Sequence, residues 1–466
     1  MKIRAAVIGG GVSGLAAARA ILKNMPGSDV KLFEKRDHFG GAVSTKREQG
    51  LILEGGPDSI ITEKPAGLAL IHELGLDDKL QHTSNDDRRA KVVCNGRLRP
   101  IPEGFRLLAP TRLWPFVLTP VISPLGKLRI GLDFLLPKRK ETGDETLSGF
   151  VVRRLGREVL EKMAQPLIGG IYGGDPERLS LQATMPRFME LEKRHRSVIL
   201  GLLHSMRKAP KAAKRSSGAR YGLFVSLQGG LSVLTEALEK DIDKTCLCPN
   251  TDIRRFYPSE HGWIVEHDDI KEEFDCVVTA MPSWAQANLM DFDAELAAEL
   301  RGVRYSSSAV VNIVFDTSSI QDKLDSFGFV VPRIENTVMM ACTYASVKFA
   351  GRAPEGQIVL RCFCGGADKE KDVEVAPDVL TENVLRDLHK FIRIKGEPRY
   401  VWVAKHYKVM PQYEYGHLER LSRIARLTGK YKGLFLAGNG FDGVGVPDCA
   451  RHAAETVAKM CELYRA

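Results

Sequence analysis

The residues whose types and spacing could do chemistry are first of all glycines and one acid. Gly9-Gly10-Gly11-Val12-Ser13-Gly14 follows the apolar run Ala5-Ala6-Val7-Ile8 and precedes Leu15 to Leu22, rich in strong helix formers. A second apolar run, Val30 to Phe33, ends on Glu34. Strand, glycine turn, helix, strand and acid stand at the spacing of one dinucleotide-binding unit. Gly9 allows the tight turn, Gly11 lets a pyrophosphate approach the backbone, and Gly14 lets helix and strand pack closely. The unpaired N–H groups of the first helical turn, with the helix dipole behind them, suit phosphates. Glu34 can accept both ribose hydroxyls of an adenosine and would repel a 2′-phosphate. The chemistry is binding of an adenine dinucleotide, NAD or FAD.

Such a loop needs a parallel sheet behind it, and the far end of the chain supplies a second half. Gly433 to Gly438 reads as a buried strand, Asn439 to Asp448 as a glycine-rich turn, and Cys449 to Tyr464 as a helix. Two such units hundreds of residues apart fit a dinucleotide domain interrupted by insertions. At the second, a helix N-terminus would stabilise negative charge on a reduced flavin. After Glu34, where a nicotinamide enzyme would continue with another βαβ repeat, Gly40-Gly41 and Glu54-Gly55-Gly56-Pro57-Asp58-Ser59 make two further turns. This favours FAD.

The intervening chain reads as two other bodies. Pro65 to Leu80 is an amphipathic helix ending near Gly75, and Lys91–Cys94 and Arg97–Pro100 form a hairpin turned by Asn95-Gly96. Gly104 to Leu132 has no acidic residue; its leucines and Trp114 are interleaved with Arg106, Arg112, Lys127 and Arg129, and four prolines break it into short helices. That composition suits either shallow insertion among anionic head groups or a subdomain packed on the core. Thr146 to Pro166 is a helix with Phe150, Val151, Leu155, Val159, Leu160 and Met163 inward. The basic stretch Lys193 to Arg220 reads as a solvated flexible face; without interleaved aromatics it is no nucleic-acid site. A helix over Ser232 to Lys240 leads to strands at Asp252–Phe256, Trp263–Glu266, Phe274–Thr279, Ala309–Phe315, Phe327–Pro332 and Ile358–Cys364, and to a helix at Asp378–Ile392. Hairpin spacing makes the later strands a mixed or antiparallel sheet.

At 466 residues, two or three domains are expected. The net charge of +9 fits anionic substrates, a membrane surface or a merely basic soluble protein. Nine cysteines include no CxxC pair and no Cys/His cluster at zinc spacing, so buried free thiols in a reducing compartment, and no metal, are expected. No apolar stretch reaches the roughly 18 residues of a spanning helix.

The chain resembles the flavin amine-oxidase superfamily, and within it the FAD-dependent protoporphyrinogen/coproporphyrinogen oxidase family. The broad signal is Gly9 to Gly14 with Glu34, Gly40-Gly41 and Gly438 to Gly445. The narrow signal is Gly56-Pro57-Asp58-Ser59, Gly169-Gly170-Ile171-Tyr172-Gly173-Gly174-Asp175, Phe327 to Pro332, Pro411 to His417 and Gly443 to Cys449. The resemblance implies an α/β protein with three parts. These are a Rossmann-type FAD-binding domain (1–85, 222–290, 405–466), an inserted mixed or antiparallel-sheet substrate domain (86–100, 291–404) and an α-helical membrane-binding domain (101–221).

By motif, Gly9, Gly11, Ser13, Gly14, Glu34 and Lys35 would meet the phosphates and adenosine, with Gly10 and Val12 in the same loop. Ala42, Gly56, Pro57, Asp58 and Ser59 would lie along the ribityl chain and ring. Ile253 would give backbone to adenine, and Val444, Gly445 and Val446 would line the flavin end. Some relatives carry a propionate-facing arginine where this chain has Ala90, between Arg89 and Lys91. The resemblance implies six-electron oxidation of protoporphyrinogen IX to protoporphyrin IX in haem synthesis, in three flavin cycles with O2 as acceptor. Oxidation of coproporphyrinogen III to coproporphyrin III is the nearest alternative; a flavin amine oxidase and a non-catalytic flavoprotein stand further off. No catalytic base stands out, and His417 reads as structural. A cytoplasmic protein touching the membrane's cytoplasmic face is expected, with a homodimer left open.

Overall fold

The computed structural model describes residues 2–84, 90–106, 108–110, 112–141, 143–208 and 224–465. Arg89 and the basic run beyond 208 lie outside the described residues.

The centre of the fold is a five-stranded parallel sheet. Its order is Leu247–Cys248, Asp29–Phe33, Arg4–Ile8, Cys276–Thr279, Leu434–Leu436. Ala5, Ala6, Val7 and Ile8 are all buried, as a strand covered on both faces requires. One face packs on the helices Val12–Asn24, Pro65–Glu73, Ser232–Lys240 and Val446–Arg465. The other is covered by an antiparallel sheet of Ile253–Pro258, Trp263–His267 and Ile270–Phe274, with the helices Ala294–Arg301 and His417–Thr428 beside it. Phe274 to Thr279 therefore is not one strand. The chain breaks at Asp275, leaving Phe274 in the antiparallel sheet and Cys276 in the parallel one.

A seven-stranded mixed sheet forms the second body, in the order Tyr400–Pro411, Tyr305–Asp316, Gln357–Gly365, Met339–Tyr344, Gly328–Val330, Lys91–Cys94, Arg97–Pro100. All its pairs are antiparallel except Gly328–Val330 with Lys91–Cys94. Asn95 and Gly96 turn the last hairpin with φ of 52° and 71°, the conformation their types suggest. The helix Pro377–Phe391 covers one face. Two expected boundaries move: Ala294–Arg301 packs with the parallel sheet although it follows 291, and Tyr400–Pro411 runs through 405 as one strand of the mixed sheet.

A helical cap fills residues 105–208. It comprises Leu113–Leu118, Pro124–Gly131, Leu147–Leu155, a π turn at Leu160–Ala164, Gln165–Tyr172, Pro186–His195 and Val198–Lys208 around Phe150, Met163 and Ile168. The Thr146 hydroxyl accepts the Gly149 N–H at 3.1 Å to start one helix, and Gly156 at φ 95° stops it, so the expected single helix to Pro166 is interrupted. The six inward residues named from sequence are all buried. Val198, Ile199 and Leu202 are buried too, so the described part of the basic stretch is a packed helix rather than a flexible face. A buried pair, Arg154 Nε to Asp133 Oδ1 at 2.6 Å, joins the cap's two halves. The nine cysteines are all free.

Candidate functional site

Both glycine turns open at one edge of the parallel sheet. Leaving the first strand, Gly9 sits at φ 107°, a conformation suited to glycine. A Cβ on Gly14 would lie 1.8 Å from the Gly9 carbonyl oxygen, so only glycine lets the helix Val12–Asn24 seat on its strand. The Gly10 carbonyl accepts the Gly40 N–H at 2.9 Å, and a Cβ on Gly41 would meet the Gly11 Cα at 3.0 Å. The two turns thus cross backbone to backbone and leave Gly11 half-buried, with the helix's first-turn amides at the mouth.

At one side, the Glu34 carboxylate accepts the Gly10 N–H at 2.7 Å and the Arg36 N–H at 3.0 Å. The Thr251 N–H bonds to the Glu34 carbonyl, which brings Ile253 alongside. Lys35 is exposed and pairs with Asp252 at 2.7 Å.

At the other side runs the strip Glu54–Ser59. A Cβ on Gly56 would stand 1.7 Å from the Ala42 carbonyl oxygen, which fixes these two positions together. The strip's carbonyls are turned away from the cleft. Arg361 donates to the Glu54 carbonyl at 3.1 Å and to the Gly56 carbonyl, Asn312 to Glu54 at 3.1 Å, and His406 Nε2 to Gly55 at 2.8 Å. The Asp58 side chain points into the same buried cluster, 2.9 Å from Lys348 Nζ and 3.5 Å from Arg361. Burial raises the Asp58 pKa, but Lys348 and Arg361 outweigh it and hold the carboxyl well below its ordinary value.

The second turn carries Gly438 (φ 122°) and Gly443 (φ 89°) into the helix Val446–Arg465. Its first turn touches the first helix: Ser13 bonds to the Cys449 thiol, whose pKa burial pushes up to about 11. That turn is not bare. Asp448 accepts the Gly445 N–H at 3.1 Å and pairs with Lys64 at 2.6 Å, so the bare helix dipole expected at the flavin end is partly answered. Beneath it Tyr413 donates to the Asn439 carbonyl at 2.6 Å and stacks on His417 at 4.1 Å. Burial lowers the His417 pKa to about 4, and its Nε2 has no hydrogen-bond partner among the described residues.

Known proteins match this architecture along nearly its whole length. The family described as flavin containing amine oxidoreductase matches residues 12–461. The chain belongs to that family. A coproporphyrinogen III oxidase of Bacillus subtilis (strain 168) is 34% identical over 455 residues, covering 96% of this chain and 96% of the relative. Protoporphyrinogen oxidase 1, chloroplastic, of Arabidopsis thaliana is 30% identical over 97% of this chain and 87% of its own. Among crystal structures, a chain from Exiguobacterium sp. 255-15, provisionally named a protoporphyrinogen oxidase, superposes with a TM-score of 0.89 at 31% identity, covering 99% of each chain.

This flavin-dependent oxidoreductase uses FAD. Its own residues fit that cofactor: a cradle in which side chains on Gly14, Gly41 or Gly56 would collide with backbone, an acid beside the first turn, and a strip whose carbonyls face away. Gly9 to Gly14, Gly40-Gly41, Ala42 and Gly56 meet here backbone to backbone, with Glu34 beside them.

The residues that hold the strip were not among them. Lys348 and Arg352 carry no local signal in the sequence, whereas Arg361 interrupts the apolar run Ile358–Cys364, and that interruption was a signal. At the expected propionate anchor, Ala90 is buried in the core and Lys91 is spent on Asp325. The cations that border a recess beside Gly169, Gly173, Gly174, Met339 and Met340 are instead Arg333 and Lys369. Both are engaged: Arg333 pairs with Asp175 at 3.1 Å and with Asp368, and Lys369 donates to the Thr337 carbonyl. Beside this recess Gly173 adjoins Ser306, to which Gln412 donates at 3.0 Å, and Tyr413 next to Gln412 reaches Asn439 of the second turn.

Proposed function

We propose that the chain oxidises a porphyrinogen to a porphyrin in haem synthesis, with coproporphyrinogen III as the preferred substrate. The observation that carries this is the full-length similarity, at 33–34% identity, to coproporphyrinogen III oxidases of three bacteria, against 28–30% for the named protoporphyrinogen oxidases. It reverses the order expected from motifs alone. Bound FAD supplies a two-electron acceptor. A porphyrinogen held with a bridging carbon toward the second turn would, in each round, pass a hydride from that carbon to the flavin and lose a proton from a pyrrole nitrogen. The ring's carboxylates, a more charged set in coproporphyrinogen, would be met by basic side chains at the mouth of the site. Gly9 to Gly14, Glu34 and Lys35 would hold the pyrophosphate and adenosine. Ala42, Gly56 to Ser59, the Ile253 backbone and Val444 to Val446 would meet the rest of FAD. Initial rates on both porphyrinogens, read by porphyrin fluorescence, test the reading; a faster rate on protoporphyrinogen IX would overturn the preference.

We propose also that the cap touches a membrane surface from one side. Trp114, Leu118, Leu125, Leu128 and Leu135 are each at least 68% exposed, an apolar patch with Lys127 among them. The side chain of Leu113 and all of Leu107 lie outside the described residues. Arg112 and Arg129 are engaged with Glu103 and with the carbonyls of residues 152–154, which leaves the patch more apolar than its sequence suggested. No helix among the described residues is long and apolar enough to cross a membrane. Co-sedimentation with anionic vesicles should fall with W114E/L118E. Equal pelleting of both proteins sinks the contact, and a dimer dissociated by the same change would assign the patch to a second copy.

A further inference from the structure

In and behind the strip Glu54–Ser59 lie five charges, four of them buried and Asp58 half-buried, drawn from two separate parts of the chain. Lys348 and Arg352 sit on the turn after the strand Met339–Tyr344, and Arg361 on the strand Gln357–Gly365; Glu54 and Asp58 belong to the strip. Arg352 pairs with Glu54 at 3.0 Å and donates to the Ser226 hydroxyl at 2.6 Å; Lys348 pairs with Asp58 at 2.9 Å. Lys348, Arg352 and Arg361 are at most 6% exposed.

A buried ionic network is a poor choice for stability alone, because well-packed apolar residues of like volume hold as well without the desolvation cost. This one is also unbalanced, with three cations against two carboxylates. Ring faces answer part of the surplus: the Lys348 ammonium lies 5.0 Å from the Phe349 ring centre, and the Arg361 guanidinium 4.6 Å from that of Phe363. The excess positive charge is held away from water, where its field is weakly screened, and it reaches the strip directly: Arg361 donates to the Gly56 carbonyl and Lys348 pairs with Asp58.

We propose that Lys348, Arg361 and Asp58 form a charge-setting device for the flavin: they position the strip, and their surplus of positive charge favours the electron-rich, reduced cofactor. This rests on the assignment of Gly56–Ser59 to FAD. Lys348 supplies charge without carrying any carbonyl of the strip, whereas Arg361 does both. Lys348→Met therefore removes charge at nearly constant shape, Asp58→Asn removes a counter-charge, and the double variant restores the original balance.

The experiment is the midpoint potential of bound FAD in the holoenzyme, from anaerobic reductive titration against a reference dye. K348M should shift the oxidised/reduced equilibrium about tenfold toward oxidised flavin, about 30 mV downward for a two-electron couple. D58N should move it upward, and D58N/K348M should return near the starting value. Opposite signs that cancel are beyond a merely structural role, which would weaken FAD binding in all three. Shifts of one sign, or none, overturn the proposal. If D58N does not fold, K348M alone decides, since an unchanged or raised potential overturns it. FAD affinity of Gly56→Ala, read by flavin fluorescence, separates the two layers. Wild-type affinity overturns the strip's assignment and the device with it; weakened affinity with an unresponsive potential overturns the device alone.

Discussion

The two glycine turns at the edge of the parallel sheet look alike in sequence and are built differently. In the first, backbone limits Gly14 against the Gly9 carbonyl and Gly41 against Gly11, while side chains of Met281 and Phe39 limit Gly9 and Gly10. No side chain answers the first turn of its helix with a charge, since that turn has no acid. In the second, side chains set the closest limits: a Cβ on Gly440 would meet the Tyr305 hydroxyl at 2.3 Å and one on Gly443 the Asp448 carboxyl at 2.3 Å, whereas Gly438 faces the Met281 carbonyl at 3.0 Å. There the carboxylate of Asp448 already occupies the helix start. A helix N-terminus left open suits an anion such as pyrophosphate, and one already supplied with a carboxylate suits a neutral or only partly charged group.

The largest expected effect exploits that difference. Gly14→Ala should cost on the order of 3 kcal/mol, because backbone cannot yield to the methyl group. It should be read as lost FAD retention and a lowered urea midpoint. Gly440→Ala should cost less and be rescued by Tyr305→Phe; failure of the rescue would make the second turn as backbone-limited as the first.

Next comes pH. Only the second turn rests on His417, neutral in the fold to about pH 4 against 6.5 for a free ring. Between these values the unfolded chain binds a proton that the folded one refuses, so stability falls as pH drops from 6.5 toward 4. The full loss is at most about 3 kcal/mol. His417→Phe, which can still stack on Tyr413, should flatten that slope in urea titrations stepped through the window; an unchanged slope would assign the acid sensitivity elsewhere.

The smallest effect concerns Lys64, which pairs with the buried Asp448 but is itself 48% exposed. Lys64→Met should lower stability by about 1 kcal/mol, and Asp448→Asn in the same chain should recover most of it. A double variant no better than the single one would show that the carboxylate is held by the Gly445 amide alone.

What was legible in the sequence was local or periodic. The helix Ser232–Lys240 and the hairpin strands Lys91–Cys94 and Arg97–Pro100 have the residues expected of them, because a glycine pair and an Asn-Gly turn punctuate them. The glycines and Glu34 of the site were equally plain, since each carries its own backbone reason. The break at Asp275 was hidden by a polar residue inside an apolar run. Tyr400–Pro411, twelve residues long, escaped because Lys405, His406 and Lys408 obscure its alternation. The cluster under the strip was least visible. Charge in a sequence reads as surface, and nothing local says that Lys348 and Arg361 will meet Asp58 across some 300 residues.

One consequence of the strand order concerns how the molecule comes into being. The strand Arg4–Ile8 lies between Asp29–Phe33 and Cys276–Thr279, and the sheet ends with Leu434–Leu436. During synthesis the opening turn emerges hundreds of residues before the strands and the final helix that complete its surroundings. Until then its apolar faces have no permanent cover, and long-range parallel pairing is slow to form. Free flavin binding the finished chain alone would then pull late folding forward by mass action, making cofactor supply a determinant of yield in the growing cell.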